Sequence, residues 1–354
     1  MKKPALEGHE ILFRYDSAFV LDVPLIEVFP RKVLGIIGPN GSGKSTLVKI
    51  LSLLEKPLSG SVVIEGKAIG GGREALSVRR RFSVVFQQPL LFNRSVWENV
   101  ATALKFRKES AESVRKKVDL WLRKLGIEQL AERPARTLSG GEARRVSLAR
   151  SLVCDPKVFF MDEPFANLDQ PTKENLMHEL RSIIKESDIA TLFVTHDREE
   201  AAVFSDTLSV MHEGKIVQSG TPVEIFSQPV SPFVADFVGV KNIFPAYAES
   251  NLNEQNIGLG SIRITAPTDK VGPVHVSIRP EDILLSRERV QSSARNVFRG
   301  RITHIRRRER TFYITVDIGI PLVCLVTKSS KEELGLKKNM EIWMLFKATS
   351  VHVI

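Results

Sequence analysis

Gly38-Pro39-Asn40-Gly41-Ser42-Gly43-Lys44-Ser45-Thr46 lies between the apolar run Val33–Ile37 and the helical run Leu47-Val48-Lys49-Ile50-Leu51. Glycines at these spacings let backbone N–H groups curve around an anion without a side-chain clash. A helix opening at the loop adds the positive end of its dipole. The closing lysine can reach the outer phosphates of a nucleotide, and the serine after it is a hard oxygen donor for a divalent cation. An ordinary glycine-rich strand–helix turn is the competing explanation, and the full pattern in this setting disfavours it.

Further along, Val158-Phe159-Phe160-Met161-Asp162-Glu163 is a second apolar run, ending in two carboxylates. Thr191–Thr195 is a third, followed by His196 and Asp197. Short apolar strands alternating with helical patterns predict an α/β core with a parallel sheet, whose strand ends build the site. A mostly helical region is expected over about 88–155, where Ala111–Leu125 has Val114, Val118, Leu122 and Leu125 at helical spacing. Leu138-Ser139-Gly140-Gly141-Glu142 opens another helix, with Val146, Ala149 and Val153 on one face and Arg144, Arg145 and Arg150 among its basic residues. Ser139 is a natural cap, and the glycines leave an anion-binding helix N-terminus.

The pattern changes after Gln228-Pro229-Val230-Ser231-Pro232. Phe233–Gly239 suits a short helix, and a boundary between 1–239 and 240–354 is expected. Beyond it, Val274–Ile278, Phe312–Val316 and Glu341–Phe346 alternate with period two, which predicts a small all-β barrel or sandwich. The run Arg306-Arg307-Arg308-Glu309-Arg310 is expected as a turn between strands, either solvated or touching an anion.

The net charge is +10, and from Val240 onward 18 Lys and Arg stand against 11 Asp and Glu. That surplus suits nucleic acid, an anionic membrane surface or a small anionic ligand. Cys154 and Cys324 have no metal-ligand spacing. No apolar run approaches the roughly 20 residues a membrane helix needs. Met1-Lys2-Lys3-Pro4 leads into charge rather than a signal core, so a cytoplasmic chain is expected.

With these motifs in this order, Ile11 to Gly239 resembles the ABC ATPase family, an α/β P-loop NTPase fold. Glu142 stands where the family usually has Gln. The resemblance implies ATP and Mg²⁺ as ligands. It implies that residues Gly38, Pro39, Asn40, Gly41, Ser42, Gly43, Lys44, Ser45 and Thr46 hold the phosphates, and that Tyr15 stacks on adenine, with core packing the alternative for that ring. Ser45, Gln87 and Asp162 would contact the metal; Gln88 leaves a one-residue ambiguity that the preceding Phe86 resolves toward Gln87. Glu163 would be the general base and His196 the γ-phosphate sensor, with Lys44 completing the catalytic set. Ser139, Gly140, Gly141 and Glu142 would reach ATP held by a second copy, and Asp169, in Ala166-Asn167-Leu168-Asp169, would meet its twin there. Val276-Ser277-Ile278-Arg279-Pro280-Glu281-Asp282-Ile283 resembles the OB-like TOBE domain appended to importer ATPases.

The resemblance therefore implies an importer subunit working as a homodimer on multi-span permease subunits, with an extracytoplasmic substrate-binding protein as an indirect partner. Its place would be peripheral, on the cytoplasmic face of the inner membrane, and no nucleic acid is expected. An exporter half would carry membrane helices. A ribosomal factor would carry two cassettes, and a DNA-repair relative would have long coiled coils in place of the roughly ninety residues between Lys44 and Ser139. Phe86–Val96, Arg136–Ala143 and Asn167–Asp169 are similar to tungstate/molybdate importers. Sulfate, phosphate, iron, sugar and polyamine remain open, since Asp197 stands where tungstate relatives often have Asn.

Overall fold

Val33–Ile37 is buried at every residue because it lies inside a six-stranded sheet. In the computed structural model of the chain, its parallel neighbours are Ala190–Thr195 on one side and Thr207–His212 on the other. Val158–Asp162 and Phe82–Val85 continue the sheet in parallel, and Lys215–Gly220 closes the far edge antiparallel. Strands buried on both faces read as unbroken apolar runs rather than alternating ones, which is why three of these strands are visible in the sequence. The structure describes residues 3–15, 19–70, 72–249, 256–308 and 310–354.

A second, antiparallel sheet is built from Leu6–Tyr15, Phe19–Val28, Ser59–Ile64 and Lys67–Ala68. Its alternating inward residues, among them Leu6, Ile11, Leu21, Val23 and Val28, pack in one cluster with the helix Lys44–Leu51. The region 88–155 holds three α-helices, Val96–Phe106, Ala111–Lys124 and Gly140–Leu152. Ser95 and Glu98 form a capping box on the first. Buried Asn99 holds the preceding loop through the Phe92 N–H, at 2.8 Å, and the Phe92 and Ser95 carbonyls, each at 3.0 Å. Val114, Val118, Leu122 and Leu125 are all buried, as their spacing requires.

The chain divides into two compact units, Met1–Ile225 and Phe226–Ile354. This division falls earlier than the 239/240 boundary read from the sequence. The helix Pro232–Phe237, capped by Ser231, packs with the strand Asn242–Ala248 and so belongs to the second unit.

That unit is a pair of five-stranded antiparallel sheets. One runs Ile262–Thr265, Asn256–Leu259, Asn242–Ala248, Gly272–Ile278, Val351–Val353; the other runs Leu284–Ser286, Glu341–Phe346, Asn296–Arg308, Thr311–Asp317, Pro321–Thr327. Val276, Ile278, Ile302, Ile314, Val316 and Phe346 share one core. Two buried asparagines bridge the sheets. Asn242 donates to the Ile278 and Val323 carbonyls and accepts from the Val323 N–H; Asn296 pairs with both backbone groups of Thr265.

The basic run is only partly a turn: Arg310 is in one, but its first three arginines are strand. Arg306, Arg307 and Arg308 extend the strand Asn296–Arg308 and pair with Tyr313, Phe312 and Thr311, while Glu309 lies outside the described residues. A register shift between Ile302 and His304 puts an extra residue into this strand. Such a bulge changes which residues share a face. Arg301, His304, Arg306 and Arg308 therefore share the face of Asp317, Thr315, Tyr313 and Thr311.

Candidate functional site

The phosphate loop leaves the C-terminal end of Val33–Ile37. Gly41 and Gly43 have φ of 82° and 104°, in the left-handed region that favours glycine. A Cβ at Gly38 would meet the Met211 carbonyl oxygen at 2.1 Å, whereas one at Gly41 would meet nothing within 4 Å. The loop is thus closely backed by protein at one glycine and open at the other. The Lys44 ammonium donates to the Gly38 and Pro39 carbonyls at 2.8 and 2.9 Å, using two of its three donors. Burial lowers its pKa, against the pull of the Glu163 and Asp162 carboxylates. The Ser42 hydroxyl is buried with no hydrogen-bond partner in the protein. An orphaned buried hydroxyl is rare in a folded chain; this one lies beside Gly38, and Ser42 is not among the residues that line the cavity described next.

Tyr15, Phe19, Asn40, Gly41, Gly43, Lys44, Ser45, Thr46 and Glu163 line a cavity of about 280 Å³. Tyr15 is 43% exposed, with its ring edge-on to Phe13. It lies at this cavity rather than inside the core, the other placement its sequence context allowed. Phe19 is its cross-strand partner and was not anticipated. The signal was present: two aromatics flanking the short polar stretch Asp16-Ser17-Ala18 are hairpin partners.

Asp162 and Glu163 end their strand beside the loop. Burial pushes the Asp162 carboxyl above the usual range, opposed by a hydrogen bond from Ser45 and reinforced by Glu163. Ser45 and Asp162 thus form an oxygen pair of the kind that holds a hard divalent cation. Among the described residues, no group of three or more His, Cys, Asp and Glu could hold a metal. Mg²⁺ is commonly bound by one or two protein oxygens plus phosphates, and Ser45 with Asp162 fits that.

Glu163 has a φ of 46°, and its N–H donates to the Val194 carbonyl at 2.9 Å. One carboxylate oxygen accepts from the Gln87 amide at 3.0 Å and the other lies 2.7 Å from His196 Nδ1. Gln87, Glu163 and His196, far apart in sequence, therefore meet at one carboxylate. Gln87 is held by a residue that the sequence left unassigned: Arg144, 3% exposed, donates to the Phe86 carbonyl at 2.8 Å and also to the Gln87 carbonyl. Arg150 similarly reaches the Leu90 carbonyl at 2.7 Å, while Arg145 pairs with Glu179. Arg144→Met should destabilise the fold by about 2 kcal/mol, because two hydrogen bonds from a buried charged donor are lost. Urea unfolding would measure it, and a loss below about 0.5 kcal/mol, the scale of surface changes, would contradict it.

Ser139 caps the helix Gly140–Leu152. Its hydroxyl accepts from the Glu142 N–H at 3.3 Å, and Glu142 accepts from the Ser139 N–H at 2.7 Å. Glu142 in place of Gln therefore completes a capping box, and the Ser139 N–H holds its carboxyl below the usual range. Gly140 has no such internal explanation: a Cβ there would meet nothing within 4 Å. Asp169 caps the helix Gln170–Glu186 through the Thr172 N–H at 3.2 Å. Its expected partner, a twin in a second copy, lies beyond the single chain.

The ABC transporter family matches residues 24–166, and the TOBE domain family matches 292–353. The molybdate/tungstate import ATP-binding protein WtpC of Pyrococcus horikoshii is 39% identical over 90% of this chain and 91% of its own length. The chain belongs to the ATP-binding subunits of ABC transporters. It is an ABC-type ATPase that binds ATP, and its second unit carries a TOBE domain. Other relatives take different cargo in their names. The Fe(3+) ions import ATP-binding protein FbpC of Vibrio cholerae is 35% identical over 81% of this chain and 82% of its own. Among solved structures, cbiO1 from Clostridium perfringens, part of the ABC transporter complex cbiONQ, is 33% identical. It superposes with a TM-score of 0.61 over 64% of this ABC ATPase and 91% of its own chain. Among the described residues, no helix is long and apolar enough to cross a membrane.

Proposed function

We propose that the chain hydrolyses ATP as one of two identical copies driving import of molybdate or tungstate through multi-span permease subunits. The observation that carries the hydrolytic part is the Glu163 carboxylate, held between Gln87 and His196 beside the phosphate loop. Lys44 and the loop N–H groups hold the phosphates, with Tyr15 against the base. Ser45, Asp162 and Gln87 would hold Mg²⁺, which would neutralise charge on the β- and γ-phosphates. Glu163 takes a proton from the attacking water. His196, fixed by Glu163 at Nδ1, presents its other ring nitrogen to the γ-phosphate. Ser139, Gly140, Gly141 and Glu142 of the second copy close over that phosphate, and Asp169 meets its counterpart.

The exposed apolar residues Leu90 and Phe92, just beyond Gln87, give a permease segment something to bury. Closure around ATP would then be felt at Gln87 and at that segment together. The working place would be the cytoplasmic face of the inner membrane, with an extracytoplasmic binding protein delivering cargo to the permease.

The cargo is supported by the identity to WtpC over nearly the whole chain; iron, sulfate and polyamine are the alternatives. In the assembled transporter, tungstate- or molybdate-loaded binding protein should raise ATP turnover at least about tenfold over the apo binding protein. Stimulation by sulfate or Fe³⁺ instead would reassign the cargo and leave the ATPase intact.

A further inference from the structure

His196 is 60% exposed in its side chain. Its neighbours on both sides are tied down by a buried polar network. The Thr195 hydroxyl donates to Glu200 Oε2 at 2.7 Å and accepts from the Asp197 N–H at 3.0 Å. Glu200 is 4% exposed, and its other oxygen lies 2.7 Å from the Lys173 ammonium. The same ammonium donates to Asp197 Oδ2 at 2.9 Å. Lys173 therefore clasps two of the three carboxylates at the start of the helix Arg198–Phe204, namely its cap Asp197 and buried Glu200.

Lys173 comes from another element. It lies on the helix Gln170–Glu186, one turn from the cap Asp169, and its N–H donates to the Asp169 carbonyl at 2.9 Å. A continuous path of short polar contacts thus runs from Asp169 through Lys173 to Asp197, Glu200 and Thr195, and so to the backbone flanking His196. The imidazole then meets Glu163. Burying Glu200 and most of Lys173 carries a desolvation cost that an apolar contact would avoid, and a connected, satisfied network fixes one arrangement where apolar packing tolerates several.

We propose that Lys173 is a positioning residue for ATP hydrolysis, transmitting the placement of the Asp169 loop to His196 through Asp197 and Glu200. Its ammonium is held by Asp197 and Glu200 and does not line the phosphate cavity, so it acts through the backbone that carries His196. Meeting of the two copies at Asp169 then sets the histidine. The inference rests on the hydrolytic roles proposed above for Glu163 and His196.

The test is a double-mutant cycle on the full chain, read by single-turnover ATP hydrolysis and by ATP binding. Lys173→Met keeps the length of the stem and removes the charge. It should slow the hydrolytic step at least about tenfold, since small misplacements at a reacting centre can cost up to about a hundredfold, while ATP affinity stays within about twofold. In the His196→Ala background the same substitution should cost less than about twofold further, because its only route is gone. Lys173→Arg should restore most of the rate.

Wild-type turnover in Lys173→Met would overturn the proposal, as would a full, additive loss on top of His196→Ala. If Lys173→Met folds poorly, Glu200→Gln removes the charge of the buried partner of Lys173 at the same side-chain length. It should give the same slowing and the same lack of additivity, and an unaltered rate would overturn the proposal equally. A wild-type chain in which His196→Ala has no effect would instead sink the hydrolytic assignment on which the inference is built.

Discussion

Glu163→Gln should keep ATP bound and lower the hydrolysis rate by about 10²- to 10⁴-fold, the range a general base contributes. The geometry makes this a clean substitution. Gln has the same length, and an amide can still accept from Gln87 at one end and donate to His196 Nδ1 at the other. The backbone at 163 is unaffected, since its N–H bond to Val194 does not involve the side chain. What disappears is the carboxylate's ability to take a proton. Removing a negative charge beside the phosphate loop should also raise ATP affinity modestly. In the two-copy cycle proposed above hydrolysis reopens the pair, so the variant should run as an ATP-dependent dimer in size-exclusion chromatography while the wild type cycles back to monomer. A variant that hydrolyses ATP at the wild-type rate would remove Glu163 from the base role. One that is inactive yet stays monomeric with ATP would keep the base and remove the two-copy cycle.

The cradle was legible in the sequence because backbone geometry there is dictated by the chemistry. Left-handed φ at Gly41 and Gly43 favours glycine, and the close packing at Gly38 leaves no room for a Cβ. The parallel strands were legible because burial on both faces demands unbroken apolar runs. What holds the site in place was less legible. Arg144 reads as one basic residue among several on a helix, yet it is buried against carbonyls 57 and 58 residues away. Lys173 reads as a surface residue of the helix Gln170–Glu186, yet its side chain is only 16% exposed and bridges two carboxylates. Long-range polar contacts leave no periodic mark in a sequence, since their partners are set by tertiary packing alone. The misread arginine run has the same origin. How far a strand runs is set by its partner, and here Thr311–Asp317 pairs as far as Arg308; the one-residue bulge near His304 is likewise invisible to a period-two pattern. Asn242 and Asn296 carry no such mark either, yet they bridge two sheets.

Gly140→Asp separates the two-copy mechanism from a one-copy one. Inside the chain nothing forbids a side chain there: a Cβ would meet no atom within 4 Å, and Gly140 is not among the positive-φ glycines. The residue begins a helix capped by Ser139. An acid in the first turn of a helix is favourable by about 0.3–1 kcal/mol, so thermal stability should be unchanged or slightly higher. ATP binding to the variant's own cradle should stay within about twofold, because that cradle is built from other residues. Hydrolysis should nevertheless fall at least about a hundredfold, because a carboxylate would be brought against the γ-phosphate held by the other copy. Like-charge juxtaposition in an interface costs several kcal/mol, and about 2.7 kcal/mol is already a hundredfold. The ATP-dependent dimer of Glu163→Gln should disappear when Gly140→Asp is added. If the doubly substituted chain still dimerised with ATP, or Gly140→Asp alone turned over at the wild-type rate, the capped helix would be only a helix and the two glycines would need another explanation. A glycine that its own chain does not require is the physical sign of a surface shaped for something outside the chain, and this substitution reads that sign without disturbing the fold.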